Sequence, residues 1–237
     1  MEIYKEIPSD RAVLFSWINR YGSVIIRTSE FTVFIDPIRM DAQEVGEVDL
    51  ILITHEHKNH LDPLTVRKLH EKKKATVVIP EKIAYMLRKY VKNDYLVTMN
   101  AKRCEEVCGI RIVAIEAIHP AIHSLAYLLS FKDFSIFHAG DSVPHSEMKV
   151  IGEKYKPLIT FCPVGISRNL SPRSGFEIVK LTDPKVAIPI HTDKRKSLEE
   201  FSSLVSRYLP QVIAHQCEIL EVVRVEFDEK QRVSRIV

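Results

Sequence analysis

The sequence predicts an α/β sandwich: two β-sheets stacked face to face, with helices covering their outer faces. Three observations carry that expectation. Strand-like runs open the chain with only short turn signals between them. Strand and helix patterns then alternate, return to strands and alternate again, so that two similar halves follow in series. No Gly/Ser linker, low-complexity segment or solenoid-period repeat separates the halves, so residues 1–237 are expected to form one domain.

The elements justify this in order. "AVLFSWI" (12–18), "SVIIRT" (23–28), "FTVFID" (31–36) and "VDLILIT" (48–54) read as strands, the first three joined as a meander by "NRYG" and "SE". "DPLTVRKLHEKK" (62–73) begins with Asp62 and Pro63, a good N-cap and first-turn pair, and continues with helical spacing of leucines. "ATVVIP" (75–80) reads as a buried strand and "EKIAYMLRKYV" (81–91) as a second helix. Strands return at 95–99, 110–118, 124–131 and 134–140. "PLITFCPV" (157–164) leads to a helix near 171–181, "KVAIPI" (185–190) to the helix 197–209, and "CEILEVVRVEF" (217–227) closes the chain as a strand.

Composition narrows the function. A formal net charge of +3 is too small to argue for nucleic acid. No apolar run is long enough to span a bilayer, and "MEIYKEIPSD" has no apolar signal region, so a cytoplasmic location is the default expectation. Cys104, Cys108, Cys162 and Cys217 form no CxxC pair. They are expected to be buried or half-buried thiols, although "CEEVC" could be read as half a zinc site.

The chemistry concentrates in "ILITHEHKNHLDP" (51–63), where His55, His57 and His60 crowd the end of an apolar run. Crowded imidazoles gain nothing in packing and repel once protonated, so metal binding is the natural reading. The i, i+2 spacing of His55 and His57 belongs to a strand end or loop. Other apolar strands also end in ligand types: "FSIFHAGDS" at Asp141, "KVAIPIHTD" at His191, and "IEAIHPAIHSLAYLL", which offers His119 and His123.

These segments resemble the metallo-β-lactamase-fold superfamily, whose signature is HxHxDH followed by a distant His, an Asp and a final His. Within it, "HEHKNHLDP", "HAGDS", "PIH" and "FIDP" are most similar to the ascorbate-6-phosphate lactonase-like group. The likeness runs from about residue 12 to about 225 and implies a four-layer αββα sandwich. It also implies that His55, His57 and a third-motif histidine hold one metal ion, with His60, Asp141 and His191 holding a second and Asp141 able to bridge. His123 is the favoured third-motif ligand and His119 the alternate, Pro120 giving the latter a loop-shaping explanation. Asp36 would hydrogen-bond a ligand histidine and fix its tautomer, unless it is simply a turn aspartate before Pro37. Where the family pattern has Asp, this chain has Asn59, whose amide oxygen coordinates without bringing charge. A dinuclear site with a weak second ion, a mononuclear site and a non-catalytic metal- or ligand-binding protein are the three readings.

The activity implied is metal-assisted hydrolysis, in which water activated by one or two divalent ions attacks a carbonyl or phosphoryl centre. Zinc is the default ion and manganese the alternative. Asp141 would orient the nucleophile and receive its proton. His145 in "SVPHSEM" would be either a proton donor or a surface or capping residue. The substrate expected is a small lactone or ester, phosphorylated or not, with phosphodiester cleavage as the rival. Lys194 and Arg195 after His191 are candidates to bind its anionic group, against a plain solvated loop.

Overall fold

The computed structural model describes residues 1–237. The first sheet begins as an antiparallel meander of β1 (Ala12–Trp17), β2 (Val24–Arg27) and β3 (Thr32–Ile35). It continues in parallel through β4 (Leu50–Leu52), β5 (Thr76–Pro80) and β6 (Leu96–Met99), with α1 (Pro63–Lys73) crossing between β4 and β5. The second sheet starts with antiparallel β7 (Cys104–Val107), β8 (Ile110–Glu116), β9 (Leu125–Ser130) and β10 (Ser135–His138). After α2 (Ser146–Tyr155) it adds β11 (Ile159–Pro163) in parallel. It then adds β12 (Val186–Ile190) after α3 (Pro172–Thr182), and β13 (Ile213–Ala214) after α4 (Arg195–Tyr208). The chain then returns to the first sheet as β14 (Val222–Phe227), paired to β1, and β15 (Val233–Ile236).

Alternation along the strands explains the layers. Val13, Phe15, Val24, Ile26, Val33 and Ile35 face the second sheet, meeting Ile112, Tyr127, Phe161 and Ile188 in the inner core. Their neighbours Leu14, Ile25, Phe34 and Ile51 point the other way, against Val66 and Leu69 of α1. On the far side, Leu128 and Phe137 meet Met148, Ile178 and Phe201 of α2, α3 and α4. Period-two alternation buries both faces of each sheet, and the result is the αββα sandwich expected.

Several local expectations need correction. Residues 81–91 are not an α-helix: Glu81–Met86 is a 3₁₀-helix followed by turns. Ile83, Leu87 and Val91 keep the helical spacing of buried positions, but the short link between neighbouring parallel strands closes through tighter bonds. Helix α2 is not among the elements expected from the sequence, and it carries Gly152 toward its C-terminal end. That glycine faces the backbone of Leu181 and Thr182 at the end of α3, where a Cβ would collide. Cys104 and Cys108 are exposed rather than buried. Cys104 opens the edge strand β7 and Cys108 follows it, the strand closing onto β8 through Cys108-Gly109, both with positive φ as in a two-residue type I′ turn. Nor does the chain close at residue 227, since β15 follows.

Candidate metal centre

The centre lies where strand ends of both sheets meet. The sheets are stitched there by the Leu125 amide donating to the Thr54 carbonyl at 2.9 Å and the Tyr127 hydroxyl donating to the Ile53 carbonyl at 2.9 Å. After β4 the backbone turns through 55–60, and α1 starts with Asp62 accepting from the Leu64 amide at 3.1 Å and the Thr65 hydroxyl at 2.7 Å. The histidine loop is thus held between a buried strand and a capped helix.

Two ligand sets result. His55 Nε2 and His119 Nε2 each lie 3.1 Å from His57 Nδ1. His60 Nε2 lies 3.2 Å from His191 Nε2, and Asp141 Oδ1 lies 3.3 Å from the former and 3.0 Å from the latter. Asp141 Oδ2 faces the other set, 3.8 Å from His119 Nε2. One carboxylate therefore addresses both groups, in a bridging arrangement.

The surroundings fix which nitrogens carry protons. Asp36, in the left-handed region with φ 48°, accepts from the Thr54 amide at 2.7 Å, the Thr54 hydroxyl at 2.6 Å and His60 Nδ1 at 2.7 Å. Having given its only proton to Asp36, the Thr54 hydroxyl must accept from His55 Nδ1, 2.9 Å away. His191 donates Nδ1–H to the Gly165 carbonyl at 2.8 Å. His55, His60 and His191 all turn Nε2 toward the centre.

Electrostatics agree with that assignment. Burial, reinforced by His60, holds His55 well below the ordinary histidine value, and burial likewise lowers His119. Burial also opposes the charged form of His60, but Asp141 and Asp36 outweigh it and hold its pKa at about 10. Burial would raise Asp141, yet His60 and His191 draw it well below the usual carboxylate range. Without a metal, a proton on His60 compensates these carboxylates.

The residues fit a metal. Asp141 Oδ1 is buried and, despite its neighbours, lacks a well-aligned hydrogen-bond donor. Three Nε2 atoms and a carboxylate pointing at one another are satisfied together only by cations. His55, His57 and His119 form one potential ion-binding group, and His55, His60 and Asp141 an overlapping one.

Above the centre is a cavity of about 380 Å³, lined by His57, Asn59, Asp141 and His191 on its polar floor. Tyr21, Ile38, Arg39, Lys58, Ile166 and Ser167 form the rest of its wall. Asn59 thus lines the same cavity as members of both ligand sets. The third-motif expectation requires correction: His123 accepts from the Lys82 amide at 3.3 Å and stands outside both sets, whereas His119 is inside. His145 is the N-cap residue of α2 and does not line the cavity. Lys194 and Arg195 do not line it either: Lys194 precedes α4, and Arg195 pairs with Glu199 at 3.1 Å.

Several residues outside the motifs also build the site. Thr54 relays Asp36 to His55, and its place directly before the first histidine was the available signal. Glu56 accepts from the Ile122 amide at 2.6 Å and Ser142 from the Ile118 amide at 2.9 Å, together setting the loop that carries His119. Gly22 makes room for the His60 ring, since a Cβ there would stand 3.0 Å from Cε1. In the sequence its place in "NRYG" marks only a turn.

Comparison with known proteins gives the family. A family model described as a beta-lactamase superfamily domain matches residues 16–191. A UPF0173 metal-dependent hydrolase from Koribacter versatilis is 30% identical over 213 residues, covering 78% of this chain and 90% of the relative. Another, from Caldivirga maquilingensis, is 32% identical over 178 residues, covering 71% and 77%. Among solved structures, Igni18, described as a novel metallo hydrolase from Ignicoccus hospitalis, matches with a TM-score of 0.79 at 20% identity. That match covers 92% of this chain and 100% of Igni18, and shows the shared fold. The chain belongs to the beta-lactamase superfamily. Within it, the protein is a metal-dependent hydrolase.

Proposed function

We propose that the protein hydrolyses a small anionic ester or lactone at a two-ion centre, as the resemblance to the lactonase-like group suggests. The observation that carries this reading is Asp141, one oxygen toward His60 and His191 and the other toward His119. In this reading His55 Nε2, His57 Nδ1 and His119 Nε2 hold one ion, and His60, Asp141 and His191 the second, with Asn59 beside it as a neutral ligand. Zinc suits the imidazole-rich set, and manganese is the alternative. Bound dications would acidify water and polarise the bond under attack.

The chain's own residues supply the rest. Asp141 would orient the nucleophile, its carboxylate staying ionised beside His60 and His191. Asp36 and Thr54 lock the rings of His60 and His55, while Gly165 locks His191. Ile38, Ile166 and Tyr21 offer an apolar wall to the substrate body. Arg39 and Lys58 on the same wall have no carboxylate partner within ion-pair distance, and they replace Lys194 and Arg195 as the candidates for its anionic group.

The test pairs metal content with kinetics on matched esters, one carrying a phosphate or carboxylate and one neutral. Two ions per chain are expected, and Arg39→Gln with Lys58→Gln should raise KM about tenfold for the anionic ester alone. Equal effects on both esters would remove the anion preference. A fully loaded protein that turns over neither would return the non-catalytic reading.

A further inference from the structure

A second cavity, of about 540 Å³, shares no lining residue with the metal centre. Lys74, Arg88, Lys89 and Lys92 line it, together with the half-buried rings of Tyr90 and Tyr95. The net charge of +3 conceals a strong local imbalance. Residues 67–92 hold nine lysines and arginines against two glutamates, so this segment carries +7 and the remaining residues together −4.

Ordinary structural needs do not use up that charge. The C-terminus of α1 ends here, with Lys74 as its left-handed cap, but a helix end presents only about half a negative charge. The acid on the cavity wall, Glu71, is engaged by Arg67 at 2.8 Å. Lys72 binds the Ala42 carbonyl at 3.0 Å and Gln43 at 2.8 Å, and Lys73 reaches Glu47 at 3.7 Å, so both are directed elsewhere. Arg88, Lys89, Lys92 and Lys74 keep no carboxylate within ion-pair distance, and Lys89 lies over the Tyr90 ring at 4.8 Å. Four like charges around one concavity repel each other, and a counter-charge in the concavity relieves all of them at once.

The concavity also has a rigid floor. His70 is buried, with Nδ1 at 3.0 Å from the Ala75 carbonyl and Nε2 accepting from the Lys92 amide at 3.4 Å, which ties the loop after 87 to α1. Tyr95 packs edge-on against the same imidazole, with ring centres 5.2 Å apart. The loop bearing three of the cations is therefore held in place before any ligand arrives. Cations on a fixed frame around a volume of this size suit a compact ligand with several closely spaced negative charges, rather than a single carboxylate.

We propose that this cavity is a binding site for a small oligophosphate, a chain of two or three phosphate groups, free or carried on a nucleoside. Lys74, Arg88 and Lys92 bind the phosphate oxygens, and the tyrosines border the pocket. The site is separate from the hydrolytic centre and does not depend on the reaction assigned there.

Calorimetric titration of the metal-loaded protein with tripolyphosphate tests this, in wild type and two double variants. Micromolar binding that weakens steeply with added salt is expected, with Arg88→Gln/Lys92→Gln costing about tenfold or more in affinity. Arg39→Gln/Lys58→Gln, on the metal cavity, should leave that binding unchanged. ATP binding as tightly as tripolyphosphate would show that the nucleoside is tolerated, and tripolyphosphate alone would show a free-phosphate site; both support the proposal. Binding weaker than millimolar, or binding lost with the Arg39/Lys58 variant instead, would overturn it. So would binding confined to long RNA, which would mean a backbone track and not a pocket. Unchanged melting of the Arg88/Lys92 variant keeps a loss of affinity from being a loss of fold, and its retained hydrolysis separates this site from the metal centre.

Discussion

The two halves of the metal centre are built differently. His55, His57 and His119 are three imidazoles, two of them from one tight loop, and burial favours the neutral form of His55 and His119. His60, Asp141 and His191 come from three separate strand ends across both sheets, and a charged network through Asp36 joins them. In the first half, His55 and His119 can accept a cation without losing a proton. The second must release one from His60, and the family resemblance makes it the half that a carboxylate in place of Asn59 would have charged. In the proposed two-ion reading, the first position would draw its affinity from loop geometry and the second from charge balance across the sandwich.

The sharpest way to break the comparison is Asp141→Asn, which removes the group shared by both halves. Removing a residue that merely supports a ligand costs about 10- to 100-fold, so losing the bridge itself should cost more than about 100-fold in kcat/KM. Elemental analysis should show the second ion lost first. An unchanged two-ion content would refute the bridging role.

Next in size is a pair of variants. His119→Ala should lower occupancy of the first position to below one ion and reduce turnover by about 100-fold, whereas His123→Ala should leave both within about twofold. The reverse ranking would mean that the loop from 117 to 123 binds metal in a conformation other than the one described.

Asn59→Asp tests the charge argument directly. A carboxylate there should tighten the second ion about tenfold and leave the first unchanged, as competition with a chelator would report. Equal tightening of both ions would show that the halves do not differ as argued.

The smallest effect is in the pH dependence of melting. In metal-stripped protein, the raised pKa of His60 contributes stability that is fully present below its ordinary value of 6.5 and lost as pH rises through about 10. The lowered pKa of Asp141 contributes stability above its ordinary value of 3.8 and loses it as pH falls through the depressed value. Tm of the stripped protein should therefore decline by several degrees between pH 7 and 10, and metal loading should flatten that decline by replacing the proton. Superimposable profiles with and without metal would sink this account.

Local pattern alone carried the sandwich and the histidine loop that serves both halves of the centre. Alternating apolar residues encode which face of a strand is buried, and His55, His57 and His60 lie within six positions, so chain connectivity alone brings them together. The strand-end positions of Asp141 and His191 were legible for the same reason, since each follows a buried run. Only the tertiary structure decided between His119 and His123. Both follow the same strand, and the choice depends on Glu56 and Ser142, remote in sequence, holding the intervening loop. Lys194 and Arg195 adjoin His191 in sequence but stay off the cavity, whereas Arg39 and Lys58, the proposed anion contacts, share its lining with His191. Local pattern fixes what a residue's neighbours along the chain require, while a cavity wall is assembled from loops whose meeting no local pattern records.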